Sequence, residues 1–264
     1  MSKMRKEKEK MLFFTDLDHT LIYSHRHKPP GPLIQAEELN QHPQSFITQK
    51  AYEYYRKQDW LEVVPLTSRT EMQYSRLEES FREFAWKSAL ICNGAILLEE
   101  GKEDPEWTRE SLALSEQDRP AYEKIRGLAE KLAGKEAIIS VDPFFFYIKT
   151  GESEGLFSAL LEEADGEHLC ILRDARKLYC FPKSLNKGAA AERYRARIGY
   201  ESYLAAGDSE FDIPMLERAG ICLCPDKLKD FEAKGEKRIC RGIFSDSICE
   251  ELDKIKGDIF DRGD

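Results

Sequence analysis

The octet Phe13-Phe14-Thr15-Asp16-Leu17-Asp18-His19-Thr20 constrains this chain more than any other stretch. An apolar run from Met11 to Phe14 leads straight into two aspartates one residue apart, then a threonine. Short apolar runs that stop at turn residues read as buried strands, here a central strand of a parallel sheet. Side chains two apart on an extended segment point to the same side. Asp16 and Asp18 would therefore crowd into one crevice at the strand's carboxyl end, where open α/β sheets place ligands. Two carboxylates that close repel, so one must be protonated or a cation must lie between them. Alone, the octet fits a metal-assisted nucleophile with an acid/base partner, and equally an acidic turn after a strand.

Bulk properties narrow the choice. The 264 residues allow one large domain or two modest ones, and 41% hydrophobic with 34% charged residues describes a soluble globular protein. Lys and Arg number 40 against 49 Asp and Glu, a net charge of −9, which argues against a general nucleic-acid binder. It does not argue against a local cationic pocket. No apolar run reaches membrane-span length and no secretory signal is present, so no membrane partner is expected. Residues 1–10 read as a charged N-terminal tail. The cysteines are odd in number, form no C-x-x-C pair and mostly sit in apolar runs. That pattern fits buried reduced thiols in a cytoplasm better than a disulfide framework or a zinc site.

Along the chain, Tyr23 to Gln44 is rich in Pro, His and Gly and reads as a loop beside the proposed site. Its His25 and His27 fit solvated side chains better than ligands. Ser45 is placed to cap a helix running to about Gln58. Trp60 to Leu66 reads as a second buried strand ending in Thr67-Ser68-Arg69-Thr70, followed by a helix with the stripe Met72, Leu77, Phe81 and Phe84. Hydroxyls between strand and helix can reach a phosphate with backbone N–H groups, or simply cap the helix. Asn93-Gly94 predicts a hairpin turn between Ala89–Cys92 and Ala95–Leu98. From Gly101 the texture becomes α+β: a helix over Glu116–Ala133, strands over Ala137–Val141 and Phe144–Lys149, a helix over Gly155–Ala164, and a paired Leu169–Arg173 and Lys177–Phe181. Asn186-Lys187-Gly188 opens a helix to Ile198. A strand over Tyr203–Ala206 ends in Gly207-Asp208-Ser209-Glu210-Phe211-Asp212, and a strand over Ile221–Cys224 and a terminal helix follow.

The predicted fold class is α/β: a Rossmann-like parallel-sheet core over 11–84 and 187–264, with an inserted α+β cap over 85–186. Polar clusters sit at Asp16/Asp18, Thr67, Lys187 and Asp208/Asp212. In this order they resemble the haloacid dehalogenase superfamily of phosphohydrolases, with its D-x-D-x-T opening, a strand ending in Ser/Thr, a lysine motif and G-D-x-x-x-D. The insertion site and Cys92-Asn93-Gly94-Ala95 are similar to the type IIB cap branch, which includes Cof-like sugar phosphatases and sucrose-6-phosphate phosphatase.

The resemblance implies that Asp16 attacks phosphorus, forming an aspartyl-phosphate, and that Asp18 protonates the leaving group and then deprotonates water. It implies Mg²⁺ held by the Asp16 carboxylate, the Asp18 backbone carbonyl and Asp208, with Asp212 holding a metal-bound water or orienting Lys187. Thr67 and Lys187 would grip the phosphoryl oxygens. Asn93 would line the entrance and bind substrate, unless it serves only the hairpin turn. His19 stands where many relatives carry Gly. Phe211 stands where Cof-like members usually carry Asn, so any contact made by that Asn is absent or supplied by Ser209 or Glu210. The expected function is a Mg²⁺-dependent phosphatase of a small phosphorylated metabolite, sugar phosphates first. A phosphomutase and a non-catalytic phosphometabolite-binding module are the alternatives, and nothing in the sequence specifies an oligomeric state.

Overall fold

The computed structural model describes residues 10–84, 86–149, 154–174 and 177–260, so the charged tail expected at 1–10 falls, up to residue 9, outside the described residues. The strand Met11–Thr15 lies between Leu61–Pro65 and Leu204–Ala206 in a five-stranded parallel sheet, continued by Ile221–Pro225 and Glu236–Cys240. Its run is apolar throughout because both faces are covered. Phe13 joins the cluster of Ala51, Tyr55, Ile248 and Leu252, from the helices Gln49–Lys57 and Phe244–Phe260. Leu12 and Phe14 join Ala190, Ala191 and Tyr194 of the helix Lys187–Ile198 on the other face. Thr15 pairs with both Pro65 and Ala206, so three strands end level and open one crevice at their carboxyl ends.

The stretch expected as a loop from Tyr23 to Gln44 is instead mostly sheet. Tyr23–Ser24, Leu33–Leu39 and His42–Thr48 form a three-stranded antiparallel sheet. Leu39 pairs with His42, and the two residues between, Asn40 and Gln41, have φ of 52° and 63°, the left-handed pair that a tight hairpin requires. The helix cap moves accordingly. Ser45 lies inside a strand and donates its hydroxyl to Glu37, whereas Thr48 accepts from the Ala51 N–H at 3.2 Å and starts the helix at Gln49. The helix expected after Thr70 is broken into short turns, with Met72 76% exposed while Leu77, Phe81 and Phe84 are buried.

The hairpin Ser88–Ile91 with Ile96–Glu99 forms as expected, but its packing differs from a cap assignment beginning at residue 85. Leu66 bridges Leu90 in parallel, and Leu90, Leu97 and Trp107 share one cluster with Phe14, Val64 and Ala190. Trp107 sits on the helix Pro105–Ser115, capped by Asp104 with proline at its first turn, an element that the sequence reading passed over. Residues 88–115 thus pack on the parallel sheet. A separate antiparallel sheet holds Leu169–Asp174, Lys177–Pro182, Phe145–Lys149 and Ile138–Val141 in that order. Its inner residues Phe146, Ile148, Leu178 and Cys180 pack with Tyr122, Ile125 and Leu160 of the helices Arg119–Ala133 and Glu154–Glu163. We propose that the cap spans about 116–186 rather than 85–186.

Asp118 ties the two crossings of the chain into and out of that cap. It is buried, with its Oδ1 2.9 Å from His168 Nδ1 and its Oδ2 accepting from the Ser184 hydroxyl (2.6 Å) and N–H (3.1 Å). The hydrogen bond to Asp118 raises the His168 pKa above its ordinary 6.5. A pKa raised on folding adds stability that is fully present below the unfolded value and lost as pH rises through the folded one. His168→Ala should therefore lower the unfolding midpoint more at about pH 5.5 than at about pH 9. Thermal unfolding at the two pH values checks this, and equal differences would contradict it.

All seven cysteines are free and six are buried. Among the described residues, no helix is long and apolar enough to cross a membrane.

Candidate active site

Asp16 is the first residue past the central strand, its N–H donating to the Ala206 carbonyl at 2.9 Å. The chain then turns sharply. The N–H groups of Leu21 and Ile22 both donate to the Leu17 carbonyl, and His19 takes φ of 62°. This left-handed position explains why a glycine would suit that place, and a side chain there costs about 1 kcal/mol.

Lys187 reaches the same crevice from the opposite side. It is the first residue of its helix, whose cap is Asn186 Oδ1 accepting from the Ala189 N–H at 2.9 Å. A Cβ on Gly188 would lie 2.1 Å from the Pro214 carbonyl oxygen, so only glycine lets this helix end press onto the turn after Asp212. Lys187 Nζ then sits 2.5 Å from Asp16 Oδ1 and 2.5 Å from Asp212 Oδ1, all three side chains buried. Asp212 Oδ2 accepts from the N–H groups of Asp208 and Ser209, both at 3.0 Å, and from the Ser209 hydroxyl at 2.9 Å. Asp208 accepts from Thr20 Oγ1 at 3.4 Å and from Lys227 Nζ at 2.6 Å.

Asp16, Asp208 and Asp212 each offer a carboxylate oxygen within 4.8 Å of the others. Burial, and then the neighbouring Asp212, Asp208 and Asp18, push the Asp16 carboxyl well above its usual range against the pull of Lys187. Burial raises Asp208 as well. Burial alone would lower Lys187, but Asp16 and Asp212 outweigh it and hold the ammonium charged. Buried hard oxygens with surplus negative charge suit a divalent cation. Asp16 and Asp208 keep acceptor capacity for one. Asp212, expected as a metal ligand or as the group orienting Lys187, accepts from Lys187 with one oxygen and from the 208–209 segment with the other, contacts that fit the orienting role.

Asp18 departs from expectation in its partner. Its carboxylate lies outside the acidic trio and accepts a two-pronged contact from Arg69, Nε and Nη2 each at 2.8 Å. Burial works against its ionised form, yet the charge and hydrogen bonds of Arg69 lower its pKa. Arg69 also donates to Glu37 at 3.1 Å, and Arg76 pairs with the other Glu37 oxygen at 2.8 Å. In this arrangement Asp18 is ready as a base, and donating a proton requires release from Arg69. Glu37 and Arg69 escaped the sequence reading. Arg69 was signalled by its place beside Thr67, whereas Glu37 lay in a supposed loop.

Thr67 is buried at the crevice edge, its hydroxyl oxygen accepting from the Arg69 N–H at 3.2 Å. Asn93 does not line the entrance. It is buried, with φ of 60°, and donates from Nδ2 to the Leu185 carbonyl at 2.9 Å, which braces the hairpin turn against the chain leaving the cap. That contact fits the hairpin role, while Asn93 Oδ1 is buried without a hydrogen-bond partner among the described residues. His27 pairs with Ser24 and with the His19 ring, and His25 and His27 are not part of the acidic cluster. Phe211 packs on Tyr179 and Phe181 of the cap sheet, with ring centroids 5.1 and 5.9 Å apart. Phe211 thus makes an apolar contact between core loop and cap, and Ser209 is engaged by Asp212.

A cleft of about 220 Å³ separates the two sheets above Asp18, with Arg69 and Arg76 on the core side and Tyr147, Lys177 and Tyr179 on the cap side.

No protein-family model and no curated protein matches the chain. Among solved structures, it is similar to the sucrose-phosphatase of Synechocystis sp. PCC6803 in complex with sucrose and phosphate: TM-score 0.63 and 14% identity over 94% of this chain and 98% of that one. A sugar phosphatase of haloacid dehalogenase subclass IIB gives 0.62 and 14%, covering 93% and 99%. A phosphatase of the same superfamily from Bacteroides thetaiotaomicron gives 0.58 and 15%, covering 95% and 96%.

Proposed function

We propose that this chain, whose fold is that of the haloacid dehalogenase superfamily's subclass IIB phosphatases, is a Mg²⁺-dependent phosphatase of a small phosphorylated metabolite, acting in the cytoplasm. The observation that carries the reading is Asp16, buried at the sheet's carboxyl edge between Lys187 and Asp208. The free thiols are consistent with a reducing compartment.

The Asp16 carboxylate, Asp208 and the Asp18 backbone carbonyl would hold Mg²⁺. Bound there, the cation offsets the repulsion between a carboxylate nucleophile and an anionic ester. Asp16 attacks phosphorus as the bond to the leaving oxygen breaks; Asp18, ionised while Arg69 holds it, takes a proton from solvent or the ester monoanion once released and passes it to that oxygen. Asp18 then takes a proton from water as the water oxygen displaces Asp16, which returns to a free carboxylate. Lys187, oriented by Asp212, and Thr67 bind the phosphoryl oxygens, where charge accumulates in a loose transition state. Sugar phosphates are the first candidates.

Phosphate release from p-nitrophenyl phosphate and a sugar-phosphate panel, with Mg²⁺ and then with excess EDTA, tests the proposal. Turnover that vanishes in EDTA and returns with Mg²⁺ is expected. Turnover indifferent to EDTA, or none on any ester, would overturn it, and sugar-phosphate isomerisation without net phosphate release would make the chain a mutase.

A further inference from the structure

Alternation along the cap strands divides their side chains between two faces. Phe146, Ile148, Leu178 and Cys180 face the cap helices. Their neighbours Phe145, Tyr147, Lys177 and Tyr179 face the catalytic cleft. Tyr147 and Tyr179 are direct cross-strand partners, their rings 5.3 Å apart and tilted by 31°, and Lys177 Nζ stands 5.1 Å from the Tyr147 ring and 3.4 Å from the Tyr179 hydroxyl. Among the described side chains, which do not include that of its cross-strand neighbour Asp174, Lys177 makes no ion pair.

Arg69, Arg76 and Lys177 line this cleft with Asp18, but Arg69 is held by Asp18 and Glu37 and Arg76 by Glu37, which leaves Lys177 as the cation not engaged by either acid. Lys187, below them, already serves the phosphoryl position. Lys177, on the opposite wall, is therefore surplus to the needs of a neutral alcohol leaving group.

We propose that the cleft selects phosphomonoesters whose leaving group bears a second anionic substituent, a carboxylate or another phosphate, seated on Lys177 with Arg76 nearby and the carbon chain against Tyr147. The inference rests on the phosphatase reading, because the scissile phosphate is placed at Asp16. It adds what the far wall recognises.

The test uses matched esters: 3-phosphoglycerate against glycerol 3-phosphate for the carboxylate, and fructose 1,6-bisphosphate against fructose 6-phosphate for the second phosphate. Binding is measured by calorimetry on the D16N protein, and kcat/KM on the wild type. One of the two anionic esters should bind at least about tenfold more tightly than its partner, the scale of a charge-assisted contact. The pair that shows it identifies the anion. In K177M that ratio should collapse towards one, and K177R should restore it, which separates a charge contact from loss of folding. Equal binding within both pairs, or a ratio unchanged in K177M, overturns the proposal. Tight anionic binding without turnover would instead leave it standing and sink the phosphatase reading.

Discussion

Asp16→Asn is expected to reduce phosphate release by about 10⁴-fold or more, on the scale that removal of a nucleophile carries elsewhere, without unfolding the protein. The amide keeps an oxygen for Lys187 Nζ, which Asp16 Oδ1 now meets at 2.5 Å. It also removes one carboxylate from a group in which Asp208, Asp212 and Asp18 all disfavour ionisation of Asp16. The sign of the stability effect follows from that raised pKa. A carboxyl that binds its proton more tightly folded than unfolded weakens the fold as pH rises above the unfolded value of about 3.8. The metal-free variant should accordingly match or exceed the wild type in unfolding midpoint near neutrality, with any advantage shrinking in acid. Turnover assays and thermal unfolding in EDTA supply the two readouts. A residue that served only packing would lose stability and activity together, so a fall in midpoint would contradict the assignment.

How much of this was legible in the sequence follows from what each signal depends on. The parallel sheet and the convergence of Asp16, Lys187 and Asp208 were legible because continuous apolar strands, ended by polar residues, encode both burial and position. The sheet over residues 23–48 was not. Its hairpin turns on Asn40-Gln41 rather than Asn-Gly, and its paired strands carry too many Gln and Glu to show alternation. The cap boundary we propose, about 116, differs from the expected 85 because Trp107 and Leu97 look alike in the sequence whether they pack on the core or on the cap. The Arg69 fork on Asp18 depends on Glu37, 32 residues earlier, and no local pattern announces so distant a partner. Phe211 was visible as a departure, but its role as a contact to Tyr179 and Phe181 needed the cap sheet in place.

Lys187→Met should be the most damaging change to the fold at this site. The lysine side chain is 2% exposed, and its partners Asp16 and Asp212 are 9% and 0% exposed. Solvent screening therefore gives little relief. Removing one member of a buried ion pair leaves the others charged without a counter-ion, at a cost of about 3–5 kcal/mol. Methionine fills the stem's volume, so the loss would be electrostatic rather than a cavity. If so, the double variant D16N/K187M should recover part of the deficit, because one of the two stranded carboxylates is gone. Urea unfolding in EDTA measures all three proteins, and a K187M as stable as the wild type would contradict the buried pair. Activity should fall by at least about 10²-fold, since the cation that we propose steadies the phosphoryl oxygens is lost. A divalent ion added back should restore stability more than turnover. It can neutralise Asp16 and Asp208, but it cannot replace an ammonium that Asp212 holds in position.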